Sequence, residues 1–94
     1  MREWLKGLKK DVRVNVGADV QTVQRLWPIG RPLVGSFGRG MYEVVSSYDR
    51  NEFRVIFCIM GSAMVLLHGF QKKTRKTPQA DIELARQRKK EIGS

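Results

Sequence analysis

The segment His68-Gly69-Phe70-Gln71-Lys72-Lys73-Thr74-Arg75-Lys76-Thr77-Pro78 places four cations within five positions, directly behind the apolar run 63–67. Ammonium and guanidinium groups at the exit of a strand hold positive charge in a fixed place on a rigid frame. Binding or cleaving a phosphate needs such an arrangement. Arg54 adds a second element, because it interrupts the otherwise apolar run 53–60. Charged residues in apolar strands are usually paired when buried. Glu43, Glu52 or Asp49 could neutralise it, or its guanidinium could face a phosphate, and the sequence leaves both readings open. Packed cations also lower one another's pKa, which is one route to a lysine that acts as a base.

His68 is the sole histidine. A multi-histidine metal site is therefore excluded and metal catalysis is not expected. A packed or hydrogen-bonded strand histidine is the ordinary expectation, with a general base as the functional alternative. The carboxylates are scattered, with no pair placed for acid–base work. Tyr42 and Phe70 are read as core residues rather than base-stacking platforms. Gly35, Gly38 and Gly40 lack the lysine and the preceding strand of a phosphate loop.

These groups need a scaffold. Residues 3–12 read as a short helix with Trp4, Leu5, Leu8 and Val12 on one side. A second helix is expected from Gly17 or Ala18 to Trp27, stopped by Pro28 and Gly30. Residues 28–40, with two prolines and four glycines, read as a connecting loop. Strands follow at 41–47, 52–60 and 63–70, joined by Asp49-Arg50-Asn51 and by a Gly61-Ser62 hairpin turn. A final helix is expected with Thr77 as N-cap, Pro78 at its first position and Gly93 at its end. Its apolar stripe is thin, chiefly Ile82, Leu84, Ala85 and Ile92, so weak docking is expected. Hairpin geometry then sets Arg54 opposite Ser46 and Gly69, on one face with Tyr42, Val44, Ile56 and Cys58, and His68 on the other face with Val55.

At 94 residues there is room for one domain, 1–94, with a modest core. The formal charge is +9, and its excess lies on the flanks: seven cations and three anions in 1–31, eight and three in 71–94, three of each between. A neutral centre with basic flanks suits a polyanionic partner. Cys58, alone and in an apolar run, excludes an intrachain disulfide and fits a reduced thiol in the cytoplasm. No signal peptide is visible, and the longest apolar stretch, 55–67, is too short to cross a bilayer.

Several blocks together resemble a known family: Pro32-Leu-Val-Gly-Ser-Phe-Gly-Arg-Gly-Met-Tyr-Glu-Val, Phe53-Arg-Val-Ile-Phe, Leu66-Leu-His-Gly-Phe-Gln-Lys-Lys-Thr-Arg-Lys-Thr-Pro and Glu83-Leu-Ala-Arg. Over residues 3–92 the chain is similar to the phage-derived, HigB-like branch of the RelE/ParE toxin superfamily. The resemblance implies a RelE-like α+β fold: two N-terminal helices packed on a small antiparallel sheet of three strands, plus a C-terminal helix. Relatives commonly open with a β-strand, whereas this chain starts at Arg2-Glu3-Trp4-Leu5, so the sheet is expected to lack that strand. An unpaired edge would favour a homodimer.

The resemblance further implies a type II toxin–antitoxin toxin, a metal-independent mRNA endoribonuclease (mRNA interferase) acting in the ribosomal A site. Its cognate partner would be a helix-turn-helix antitoxin. No cofactor and no membrane are implied. Family positions for a functional arginine and for basic residues map onto Arg54 and onto Lys72 and Lys73, while Glu43 and Val45 stand where some relatives carry catalytic lysines. The reaction expected is attack of a 2′-hydroxyl on the adjacent phosphate. Arg54 and Lys73 would stabilise the phosphorane and Lys72 or His68 would be the base. Arg75, Lys76, Arg86, Arg88 and Lys89 would hold RNA electrostatically. The alternative is a non-enzymatic prophage relic that binds an antitoxin, or a ParE-like gyrase-directed toxin.

Overall fold

The computed structural model of the chain describes residues 2–73, 75 and 78–93. The elements run α1 (Arg2–Gly7), α2 (Lys10–Leu26), β1 (Val34–Gly38), β2 (Met41–Tyr48), β3 (Asn51–Met60), β4 (Ala63–Lys72) and α3 (Gln79–Gly93). The α+β class, the two leading helices, the antiparallel sheet and the closing helix agree with the sequence. The sheet, however, has four strands in the order β1-β2-β3-β4, not three. The additional strand is not N-terminal. It lies within the glycine- and proline-rich stretch read as a loop, where Val34 pairs with Val44, Gly35 with Glu43 and Ser36 with Tyr42. An edge strand is paired on one side only, and the Glu43 side chain covers Gly35 so closely that a β-carbon there would lie 3.0 Å from Oε2.

The helical break also falls elsewhere than expected. α1 ends at Gly7 and α2 runs unbroken through Gly17. The Leu8 N–H donates to the Leu5 carbonyl at 3.2 Å and the Arg13 N–H to the Lys9 carbonyl at 2.8 Å, so the chain turns between them. α2 then lays Val16 and Val23 against the sheet, with Val12 and Val20 packed alongside.

Two cores flank the sheet. On the α1–α2 side, Val44, Val55 and Phe57 meet Val16, Val23 and Val34. There Trp27 packs edge-on against Tyr42 and Phe57, with centroids 4.8 and 5.4 Å away. Edge-to-face contacts of this kind add about 0.5–1.5 kcal/mol each beyond their area. Ser46 is also buried on this side, where its hydroxyl donates to Asp19 at 2.6 Å and accepts from Asn15 Nδ2 at 3.1 Å. On the α3 side, Ile56, Cys58, Leu67 and Phe70 pack with Met41 and Ala85.

Strand register departs from the sequence expectation by one residue on both sides of Arg54. Asp49 and Arg50 alone form the β2–β3 turn, with φ of 50° and 67°, so Tyr48 pairs with Asn51 and Arg54 with Val45. Across β3–β4, Met60 pairs with Ala63 as expected, but a bulge inserts Leu67 between the pairs Phe57–Leu66 and Ile56–His68. Arg54 therefore faces Phe70, not Gly69. Tyr42 and Val44 lie on the face away from Arg54, and His68 joins Arg54 on the α3 face. The bulge, which the sequence did not disclose, reverses the facing of everything after it.

α3 starts at Gln79, where the Pro78 carbonyl accepts from the Asp81 and Ile82 N–H groups at 3.1 and 3.3 Å. The expected cap at Thr77 lies outside the described residues. Ala85 and Ile82 dock while Leu84 and Ile92 stay exposed, as the thin stripe implies. Among the described residues, no helix is long and apolar enough to cross a membrane.

Candidate functional site

Because β3 and β4 run antiparallel, the start of one and the end of the other meet at the same end of the sheet. Glu52 pairs with Lys72 there, and Arg54 with Phe70 one step further in. A hollow of about 650 Å³ opens at this end. Arg50, Asn51, Glu52 and Arg54 line it from the turn and β3; Gln71, Lys72, Lys73 and Arg75 line it from the exit of β4. The Gln71 amide is engaged locally, its Nε2 donating to Asn51 Oδ1 at 3.1 Å. Among the described residues, the charged part of the wall is thus three arginines and two lysines against one carboxylate.

Arg54 forms the floor and is 7% exposed. Its Nε lies 3.3 Å from Glu43 Oε1 and its Nη2 donates to Glu52 Oε2 at 3.3 Å. The guanidinium is therefore paired, as one reading of the sequence has it, and it also lines the hollow. The two contacts are longer than the 2.7–2.9 Å of a strong charge-assisted bond. Nε and Nη1 are buried with no hydrogen-bond partner among the described residues. A buried donor left unsatisfied costs about 1–3 kcal/mol. Arg54 thus sets a guanidinium charge at the floor of the hollow, among Lys72, Lys73 and Arg75.

His68 is not brought to the hollow. It lies on the α3 face, where Nε2 is 2.6 Å from Asp81 Oδ1 and Nδ1 accepts from Arg88 Nη1 at 3.3 Å. That pattern places the ring proton on Nε2, donated to Asp81. The ring also stacks on Phe70 at 5.7 Å. Arg88 Nη1 donates to the Leu67 carbonyl at 2.8 Å, so this side chain fastens α3 to β4 at the bulge. Lys89 reaches inward to the β1–β2 turn, where a β-carbon on Gly40 would lie 3.9 Å from its Nζ. Arg86 pairs with Glu83 at 2.7 Å along the helix. Arg75 lines the hollow, and Lys76 lies outside the described residues.

The sequence offered Glu43, Glu52 or Asp49 as alternative partners of Arg54, and the structure pairs it with Glu43 and Glu52 together. Glu52 lies two residues away on the same strand face, whereas the approach of Glu43 depends on the β2–β3 register. Elsewhere, burial pushes the Cys58 thiol above its ordinary 9.0, opposed in part by the nearby Lys89 ammonium. Among the described residues no group of three or more His, Cys, Asp and Glu side chains is placed to hold a metal ion.

The sequence pattern of the Phage derived protein Gp49-like family (DUF891) matches residues 3–90, and the chain belongs to that family, which is associated with toxins of toxin–antitoxin systems. No curated protein and no solved structure matches the chain.

Proposed function

We propose that this Gp49-like protein is the toxin of a type II toxin–antitoxin system and that it cuts mRNA on the ribosome by 2′-hydroxyl attack on the adjacent phosphate. The observation that carries the reading is the buried Arg54 guanidinium, held by Glu43 and Glu52 on the floor of a hollow walled by Lys72, Lys73 and Arg75. Cleavage passes through a phosphorane with added negative charge, and donors already in position stabilise it without reorganising. Arg54 supplies fixed donors beneath the phosphorane, Lys73 an ammonium beside it. Lys72 and Arg75 hold the flanking phosphates, a salt-sensitive task. This division needs no metal ion. A helix-turn-helix antitoxin, the ribosome and the cytoplasm as place of action belong to the same reading.

The test is induction of the chain in growing cells with mapping of mRNA 5′ ends. Translation arrest with new 5′-hydroxyl ends, both lost in Arg54→Ala, is expected. Intact mRNA under arrest would sink the nuclease, and DNA-damage signalling in its place would favour a gyrase-directed toxin.

A further inference from the structure

Resting on that reading, we infer that Glu52 is the proton acceptor of the cleavage step. Proton abstraction from a 2′-hydroxyl needs a group that is unprotonated at neutral pH and within reach of the substrate. An ordinary lysine carries its proton at that pH and must lose it before it can accept one; an ordinary glutamate has already lost it. Lys72 and Lys73 are therefore better placed to donate than to accept. Among the described residues, Glu52 is the one carboxylate on the wall of the hollow. His68 is engaged by Asp81 and Arg88 away from it.

The geometry distinguishes Glu52 from Glu43. The Glu43 side chain is 15% exposed and is packed over Gly35, whereas that of Glu52 is 50% exposed. Glu52 keeps one oxygen on Arg54 Nη2 at 3.3 Å, which fixes the carboxylate beside that guanidinium, and its other oxygen accepts no hydrogen bond among the described residues. A phosphate over Arg54 would thus have a carboxylate at its side, and Lys72, the cross-strand partner of Glu52, next to both.

The step balances as follows. The 2′-hydroxyl proton passes to a Glu52 oxygen while the O2′–P bond forms, and the P–O5′ bond breaks as the Lys73 ammonium gives its proton to the leaving O5′. The products are a 2′,3′-cyclic phosphate and a 5′-hydroxyl. Glu52 then releases its proton to water and Lys73 regains one.

The experiment is single-turnover cleavage of ribosome-bound mRNA by full-length protein, across pH, for wild type, Glu52→Gln, Glu52→Asp and Arg54→Ala. Glu52→Gln keeps the shape and an oxygen for Arg54 but cannot accept the proton. It should cut 10²–10⁴-fold more slowly, the range general-base catalysis contributes. The mRNA concentration for half-maximal rate should stay within a few-fold, and the rise of rate with pH set by the carboxylate should vanish. Glu52→Asp should recover part of the rate. An unchanged melting temperature verifies that Glu52→Gln is folded. A Glu52→Gln rate within threefold of wild type, with Arg54→Ala inactive, would overturn the Glu52 assignment and leave the nuclease reading standing. Slow cleavage with the pH profile intact would make Glu52 a positioning residue for Arg54, also overturning it. Absence of cleavage by the wild type would remove both.

Discussion

The six-membered ring of Trp4 rests on Gly69 so closely that a β-carbon at that position would overlap it. This contact seats α1 on β4, three residues before the first lysine of the hollow. Replacing Gly69 with Ala would force the indole or the strand to move. Overpacking of this kind costs about 1–3 kcal/mol. A denaturant melt should show that loss, and a stability equal to wild type would mean that α1 is not held there.

Arg54→Lys offers a sharper probe of the floor than Arg54→Ala. A lysine keeps the charge but has no planar fork to span Glu43, Glu52 and a phosphate together. Growth arrest on induction should fall to near the Ala level, with cleavage reduced on the order of 10²–10³-fold, the effect of losing one positioned oxyanion donor. Retained toxicity in Arg54→Lys would show that charge alone suffices.

Salt dependence separates cations that touch RNA from cations that hold the fold. Gln at Lys72, Lys73 or Arg75 should each lower the slope of log affinity against log salt by about one. Arg88→Ala should leave the slope unchanged. It should instead cost about 1.5–3 kcal/mol of stability, because the charged donor to the Leu67 carbonyl is lost. An altered slope in Arg88→Ala would return that residue to the RNA-binding surface expected from the sequence.

Alkaline pH tests the buried thiol. The folded state raises the Cys58 pKa, so the thiolate is disfavoured there relative to the unfolded chain. The associated stability is present below the ordinary value of 9.0 and is lost as pH rises through the folded value. The urea midpoint should therefore fall as pH rises above 9.0, and alkylation of Cys58 in the folded protein should lag that of the denatured chain. Cys58→Val should flatten its share of the decline. Tyr48, whose hydroxyl donates to Asp11 at 3.1 Å and whose pKa is raised chiefly by that bond, works in the same direction. Tyr48→Phe is the control that separates the two.

How far the fold could be read from the chain depended on which interactions were local. The Gly61-Ser62 turn and the apolar run of β3 follow from neighbouring residues, and the structure has them. β1 was hidden because its glycines look like turn residues until Glu43 is seen to cover Gly35. The register failed at Asp49-Arg50, where two non-glycine residues adopt positive φ, and at Leu67, which carries no chemical mark of a bulge. The hollow was partly legible, since Lys72, Lys73 and Arg75 are contiguous with the end of β4 and Arg54 stands out in an apolar strand. The Glu43 contact of Arg54 and the inward engagement of His68, Arg88 and Lys89 depend on contacts between distant segments.

The extra residue at Leu67 gives β4 a fixed parity. Between the Gly61-Ser62 turn and Lys72, loss or gain of a single codon would transfer Phe70 and Lys72 to the opposite surface of the sheet and pull the Leu67 carbonyl from Arg88. Descendants of this gene should therefore vary in spelling along that stretch while keeping its length, and a frame-preserving indel there should be a null allele even where every replaced side chain is conservative.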